Sequence, residues 1–358
     1  MAETRTFQVS MSPHFGSPHS TRRVMFDVVI ALLPALLGAV WLFGLRGALL
    51  PVVVGVAAAV AAEFVCLRLM KRDTSAALDG SAIVTGILLA YNLPPGVPWW
   101  LPVLGSAFAI VVGKQVFGGL GSNLVNPALL GRAFLMASFP VLMTAGWSAP
   151  FEWRNAAAGF ETHGMPASVV SEMPVADAVT GATPLRAWKD SFGMESHDGQ
   201  AVREGLTDPG TLMNLLTGRR GGCLGETSII LLLLGALYLF VRKVLDWRIP
   251  FSYLGSVALF GWILGGPGFF DGSAVFSVLS GGVILGGFFM ATDMVTTPVT
   301  HAGRLVFGLG AGLLTVVIRR WGGYPEGCSY SILLMNLATP LIDRFTKPRM
   351  FGEVRKHA

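Results

Sequence analysis

Apolar residues in this chain come in long runs rather than in the alternating stripes of a half-buried sheet. The runs lie at 24–43, 47–69, 80–93, 99–116 and 126–145, then, after a polar stretch, at 229–244, 250–264, 274–291, 305–318 and 329–342. A helix needs about 20 apolar residues to cross a bilayer, and most of these runs approach that length. The pattern predicts an all-α polytopic membrane protein with about ten transmembrane helices. The third run is short and ends at Pro94-Pro95, and several later runs are short as well. The implied organisation is a cytoplasmic segment 1–23, a first block of five helices at 24–146, a polar loop at 147–228, a second block of five at 229–344, and a cytoplasmic tail at 345–358.

The blocks echo each other. A short apolar helix ending in prolines at 80–95 has a counterpart at 280–298. Phe117-Gly118-Gly119-Leu120-Gly121 is matched by Trp321-Gly322-Gly323-Tyr324-Pro325-Glu326-Gly327, and each precedes the last run of its block. An odd number of spans per block makes such a repeat inverted across the membrane. Inverted repeats with Gly/Pro-interrupted helices build sites near the midplane. Packing of small residues between helices produces the same echo without a repeat.

Composition fits. Of 358 residues, 53% are hydrophobic and 13% charged, which overrides the two or three soluble domains that length alone suggests. The net charge of +5 is modest and lies in short segments beside the runs, a topology signal rather than a nucleic-acid footprint. Cys66, Cys223 and Cys328 are scattered, with no CxxC pair. They offer no thiolate set for an iron–sulfur cluster or structural zinc, and no disulfide framework. Residues 1–23 hold no apolar core, so the first run is expected to direct insertion.

Lys and Arg set the orientation. With both termini inside, the inner segments receive Arg5, Arg22, Arg23, Arg68, Lys71, Arg72, Lys114, Arg242, Lys243, Arg248 and Arg304, and the tail adds Arg344, Lys347, Arg349, Arg355 and Lys356. Short outer loops receive Arg46, Arg319 and Arg320. The Arg319-Arg320 pair is the exception, to be met by protein or by lipid headgroups. The polar loop at 147–228 is then extracytoplasmic.

That loop holds Asp177-Ala178-Val179-Thr180-Gly181-Ala182-Thr183. Two readings apply. Thr180 or Thr183 can cap a helix opening at Pro184, which suits the first helical position. Alternatively, the Thr183 hydroxyl is a handle for a transferase that joins FMN through its phosphate. Gly181 and Ala182 keep the backbone open for that enzyme, and Asp177 aids recognition or positions its metal. The segment 118–127 also has two readings. Gly118 and Gly119 permit close backbone approach, and Asn123 and Asn126 can pair with the edge of a flavin ring. The same residues also make a tight turn with capping asparagines before Pro127.

Carboxylates near the runs are Asp27, Glu63, Asp79, Glu226, Asp293 and Asp343. Most sit at run ends, where capping or snorkelling accounts for them. Glu63 lies deepest and is the candidate for cation coupling. His14, His19 and His301 have no haem- or metal-ligand spacing. Trp99, Trp100, Trp147 and Trp247 sit at run edges as interfacial anchors.

Taken together, these motifs resemble the RnfD family, the D subunits of the Rnf complex, an ion-translocating ferredoxin:NAD⁺ oxidoreductase. They are more distantly similar to the B subunit of the Na⁺-translocating NADH:quinone oxidoreductase. The resemblance runs from Ser12-Pro13-His14 through Asp79-Gly80-Ser81 and 118–127 to 322–327, Leu334-Met335-Asn336 and Pro340-Leu341-Ile342-Asp343. It implies covalent FMN at the last Thr of an Asp-x-x-Ser/Thr-Gly-Ala-Thr motif, here Thr183, with Asp177, Thr180, Gly181 and Ala182 completing the motif. It also allows a second, non-covalent flavin such as riboflavin. It implies a bacterial inner-membrane protein that couples electron flow to Na⁺ or H⁺ movement. Its partners are then other Rnf subunits, among them a periplasmic FMN-bearing subunit and membrane iron–sulfur subunits. The competing expectation is a solute transporter or channel of inverted-repeat fold without a redox role.

Overall fold

The computed structural model describes residues 20–145, 150–151, 183–194, 196–219, 221–226 and 228–347. Every regular element among them is helical. Helix α1 (Thr21–Gly44) opens with Ser20, whose hydroxyl accepts the Arg23 amide at 3.3 Å. A turn at Gly44 (φ 74°) and a π-helical stretch, Leu45–Leu49, lead into α2 (Leu50–Leu69). Next come α3 (Ser81–Tyr91), α4 (Trp100–Ile110) with a π-turn at Val111–Gln115, and α5 (Pro127–Ser138). Helix α6 (Pro140–Ala145) ends the first block. The described part of the polar loop folds as α7 (Pro184–Asp190), α8 (Ser196–Thr207) and α9 (Pro209–Thr217). The second block is α10 (Ile229–Val241), α11 (Arg248–Leu264), α12 (Ala274–Leu279), α13 (Val283–Leu285) with a π-turn at Gly286–Met290, α14 (His301–Trp321) and α15 (Cys328–Phe345).

Two of the predicted runs are broken. The run 126–145 stops at Phe139, because the residue before a proline is pushed out of the helical region and Pro140 restarts the chain. The run 274–291 stops at Ser280–Gly282, where Gly281 takes φ 65°. Apolar composition marks depth in a membrane but not continuity of a helix. Among the described residues, Thr21–Leu69 and His301–Trp321 are long and apolar enough to cross a membrane. The shorter apolar helices are Ser81–Tyr91, Trp100–Gln115, Ile229–Val241 and Arg248–Leu264.

Large apolar side chains point outward at helical spacing: Leu33, Leu37 and Trp41 on α1, Leu233, Leu237 and Val241 on α10, Leu334, Leu337 and Leu341 on α15. Exposed apolar faces of this extent belong against lipid or partner subunits. Inside, one apolar core runs from Leu32 and Leu89 to Tyr253, Phe288 and Ile332 and joins both blocks. Helices α11 and α14 pack face to face through small residues. A Cβ on Gly308 or Gly312 would overlap the hydroxyls of Ser252 and Ser256, so small residues four apart on each helix let the backbones meet.

The helices of the polar loop dock on the second block. The Trp188 indole donates to the Gly265 carbonyl at 2.8 Å, and its ring stacks on Phe276 with centroids 4.7 Å apart. Lys189 donates to the Gly322 carbonyl, and burial there lowers the pKa of its ammonium.

Candidate functional site

Thr183 is the N-cap of α7. Its backbone is extended, it is half-buried, and its hydroxyl accepts the Arg186 amide at 3.3 Å. Asp177, Thr180, Gly181 and Ala182 lie outside the described residues.

A second location lies beside Gly80. There Gly80 (φ 93°) turns the chain into α3, and the Asp79 carboxylate accepts the Ser81 amide at 2.7 Å and the Ser81 hydroxyl. A cavity opens between α1, α3, the 118–127 segment and the end of the π-turn at Met290, lined by Asn123, Asn126, Lys114, Phe288, Thr292 and Asp293 among others. The two asparagines differ. Asn126 caps α5, its Oδ1 accepting the Ala128 and Leu129 amides and its Nδ2 donating to the Met290 carbonyl. Asn123 spends its Nδ2 on the Val125 carbonyl at 3.3 Å, and its buried Oδ1 has no partner. An orphaned buried acceptor in a cavity of mixed apolar and polar lining fits a ligand with an N–H edge, such as the imide of a flavin. Gly118 (φ 117°) and Gly119 (φ 100°) are not in the cavity lining. They turn the chain, and the Gly118 carbonyl accepts from Arg72.

Glu63 is buried and paired. Lys114 reaches its Oε1 at 2.5 Å and the Ser81 hydroxyl at 2.6 Å, and Gln115 donates to the same Oε1 at 2.9 Å. Lys114, read from sequence as a loop charge, is only 2% exposed. Its carboxylate partner lies far back in the chain, on α2, where a window of neighbouring residues cannot find it. Glu63 Oε2 and Gln115 Oε1 remain without partners. The other acids cap or pair. Asp293 accepts the Val295 amide, Asp343 the Val299 amide, and Asp27 binds Arg242 and Tyr238.

A third location surrounds Gly281 at the opposite end of the half-helices, and its hub is Arg132. That guanidinium is 3% exposed, and donates to Asn92 Oδ1 at 2.5 Å, Ser329 at 2.9 Å and both Glu326 oxygens. It thereby ties α3, α5 and α15 together. Glu326 also accepts the Gly282 amide at 3.2 Å. The ligand atoms of Cys223, Glu226 and Glu326 lie within 4.8 Å of one another, a metal-like spacing. Yet Arg132 already supplies the positive charge on Glu326, and burial raises the Cys223 thiol, so the set does not fit a metal ion. Arg132 escaped the sequence reading, although an arginine inside an apolar run is itself a signal.

Arg319 and Arg320, the topology exception, are met by protein. Arg319 donates to the Ser277 and Ser280 carbonyls at 2.6 and 2.9 Å, at the end of α12. Arg320 donates to the Leu264 and Pro267 carbonyls at the end of α11 and lies over the Phe192 ring. Cations at helix C-termini satisfy orphan carbonyls and oppose the dipole.

The model of the NQR2, RnfD, RnfE family matches residues 8–352. The chain belongs to that family. Within it, the chain is similar to the D subunit of the Na⁺-translocating ferredoxin:NAD⁺ oxidoreductase complex of Acetobacterium woodii, 45% identical over 98% of this chain and 97% of the relative. It is 43% identical to the D subunit of the proton-translocating ferredoxin:NAD⁺ oxidoreductase complex of Clostridium ljungdahlii, over 98% and 97%. The D subunit of the ion-translocating oxidoreductase complex of Citrobacter koseri is 38% identical over 97% and 99%. Family relatives named for Na⁺ and for protons thus stand at nearly equal distance, so overall similarity does not select the ion.

Proposed function

We propose that this chain is the D subunit of an ion-translocating ferredoxin:NAD⁺ oxidoreductase complex and carries FMN on Thr183 through a phosphodiester. Full-length similarity to D subunits of such complexes supports the assembly. The observation that carries the attachment is the position of Thr183. It ends the acceptor motif, is half-buried rather than enclosed, and is anchored through α7 to the second block. The cofactor supplies the redox chemistry; the protein supplies attachment, orientation and charge.

The finer organisation belongs to the same reading. About ten helices cross the bacterial inner membrane in two inverted five-helix repeats, with both termini cytoplasmic. The opposed breaks at Gly80 and Gly281 support it, each a left-handed glycine before a short helix whose amide is held by a carboxylate. The cavity beside Gly80 is then on the cytoplasmic side and takes the second, non-covalent flavin, a riboflavin-like ring whose N–H edge meets Asn123 Oδ1. Asn126, which caps α5 and lines the cavity, shapes that wall. Glu63, with its free Oε2, is the acid coupled to the translocated cation. Electrons are exchanged with a periplasmic FMN-bearing subunit and membrane iron–sulfur subunits.

The test is fluorescence of the denatured band under ultraviolet light, from a host with the flavin transferase. Wild type and Thr180→Ala should fluoresce, and Thr183→Ala should not. A dark wild-type band would remove the flavin and favour a transporter or channel; full complex turnover in Thr183→Ala would favour a scaffold.

A further inference from the structure

We infer that the Lys114 ammonium is the tethered occupant of a monovalent-cation seat built by Glu63, Ser81 and Gln115, and that a cation such as Na⁺ enters by displacing it. This rests on the reading of Glu63 as the acid coupled to the translocated cation, and goes beyond it by naming the other ligands and the gate.

An ammonium and a small metal cation ask the same of their surroundings, oxygen atoms converging on one point. Lys114 Nζ lies between Glu63 Oε1 at 2.5 Å and Ser81 Oγ at 2.6 Å. Those oxygens come from α2 and from the first residue of α3, so the packing of two helices brings them together. The Ser81 hydroxyl donates onward to Asp79, which leaves its lone pairs for Lys114. Gln115 follows Lys114 in the π-turn, and its amide is set against Glu63 Oε1 at 2.9 Å. More oxygen is present than the ammonium uses. Glu63 Oε2 and Gln115 Oε1 have no partner, although both residues are only 2% exposed. Buried acceptors are rarely left unmet, and hard cations take oxygen ligands of this kind.

Charge points the same way. Glu63 and the half-buried Asp79 share one ammonium, Glu63 directly and Asp79 through Ser81. Arg72 Nη1 and Gln115 Oε1 both lie 3.8 Å from the position a Cβ would take on Gly119, but Arg72 is bonded to the Gly118 carbonyl. Among the described residues neither Arg72 nor Asp79 forms an ion pair. The cluster is thus one positive charge short, and a bound cation supplies it while Lys114 stays protonated. Lys114 also has room to leave. With Ser81 it lines the cavity beside Gly80, and its flexible stem can carry the ammonium off Glu63 into that space. The same wall holds Asp293, a carboxylate bonded to the Val295 amide and the Thr296 hydroxyl and in no ion pair.

The experiment measures the Na⁺ affinity of the purified full-length chain from thermal stabilisation by NaCl, with choline chloride holding ionic strength constant. A seat that Lys114 fills about nine-tenths of the time or more has its apparent affinity weakened at least about tenfold. Lys114→Met, prepared in Na⁺ so that the cation holds Glu63, should therefore bind Na⁺ at least about tenfold more tightly than wild type. At about a hundred times its dissociation constant, Na⁺ should raise the folded-to-unfolded ratio of this variant about a hundredfold. Combining it with Glu63→Gln should abolish the response. Arg72→Gln removes a neighbouring cation that does not touch Glu63, and should leave the affinity within about twofold of wild type. Should Lys114→Met fail to accumulate, the wild-type chain carries the test. Reductive methylation of Lys114, read by peptide mass spectrometry, should quicken at least about threefold as Na⁺ replaces choline. Wild-type Na⁺ affinity in Lys114→Met, an equal gain in Arg72→Gln, or a methylation rate indifferent to Na⁺ would overturn the seat and its gate. A complex carrying Glu63→Gln that still moves ions at the wild-type ratio to electrons would instead overturn the coupling role of Glu63 and leave the seat standing.

Discussion

The breaks at Gly80 and Gly281 are built alike and finished differently. At each, a glycine with positive φ precedes a short helix, a carboxylate holds the following amide, and a buried cation completes the network. At Gly80 the leftover atoms are acceptors: Glu63 Oε2, Gln115 Oε1 and Asn123 Oδ1. At Gly281 they include a donor, Arg319 Nε, beside the Ser280 hydroxyl. Buried polar atoms without partners are rare in folded proteins, so their sign is informative. The Gly80 end is left with acceptors, the Gly281 end with a donor and a hydroxyl. Two breaks of similar construction thus leave opposite chemistry unmet.

The comparison breaks most visibly at the cations. Arg132→Ala leaves the half-buried Glu326 with only the Gly282 amide, and strips Asn92 and Ser329 of their donor; it should cost about 3 kcal/mol, seen as lost thermal stability and poor accumulation in membranes. A wild-type melting curve would show that Arg132 is not the hub of the Gly281 end. Lys114→Met should be similarly damaging, because Glu63 is then a lone buried charge. Adding Glu63→Gln should recover most of the loss, ~2 kcal/mol or more, as expected when a buried pair is removed whole. A double variant no better than the single would mean that Lys114 acts through Ser81 alone.

Glycine substitutions sharpen the likeness of the two breaks. Gly80→Ala and Gly281→Ala each force a side chain into left-handed backbone, beside Met25 and Arg319 respectively. Each should cost about 1–2 kcal/mol of thermal stability, and by similar amounts. A large inequality would argue against a shared construction. The smallest effect belongs to Ser280→Ala. It deletes a buried hydroxyl with no protein partner, and should leave flavin-free protein unchanged or more stable by up to ~1 kcal/mol in a thermal melt.

Much of this was legible in the residues. Long apolar runs marked the helices, and Pro184 after Thr183 foretold the cap. The charged core was not legible. Lys114 looked like a loop charge because Glu63 is remote in sequence; Arg132, a signal by its place in an apolar run, went unread, and its partners Glu326 and Asn92 come from other parts of the fold. The break at Gly281 was hidden because hydropathy reports depth and not φ, whereas Pro140 already marked the break at Phe139. The Arg319-Arg320 exception to the charge rule was visible, but its cause was not, since the carbonyls it satisfies belong to the ends of α11 and α12.

The central claim is that Thr183 carries the flavin. Mass spectrometry of the peptide containing residues 177–186, from complex assembled in a host with the transferase, tests it most directly. The peptide should be heavier by FMN less water, with the flavin phosphate assigned to Thr183 and Thr180 unmodified. A peptide recovered only in unmodified form from fully assembled complex would contradict it.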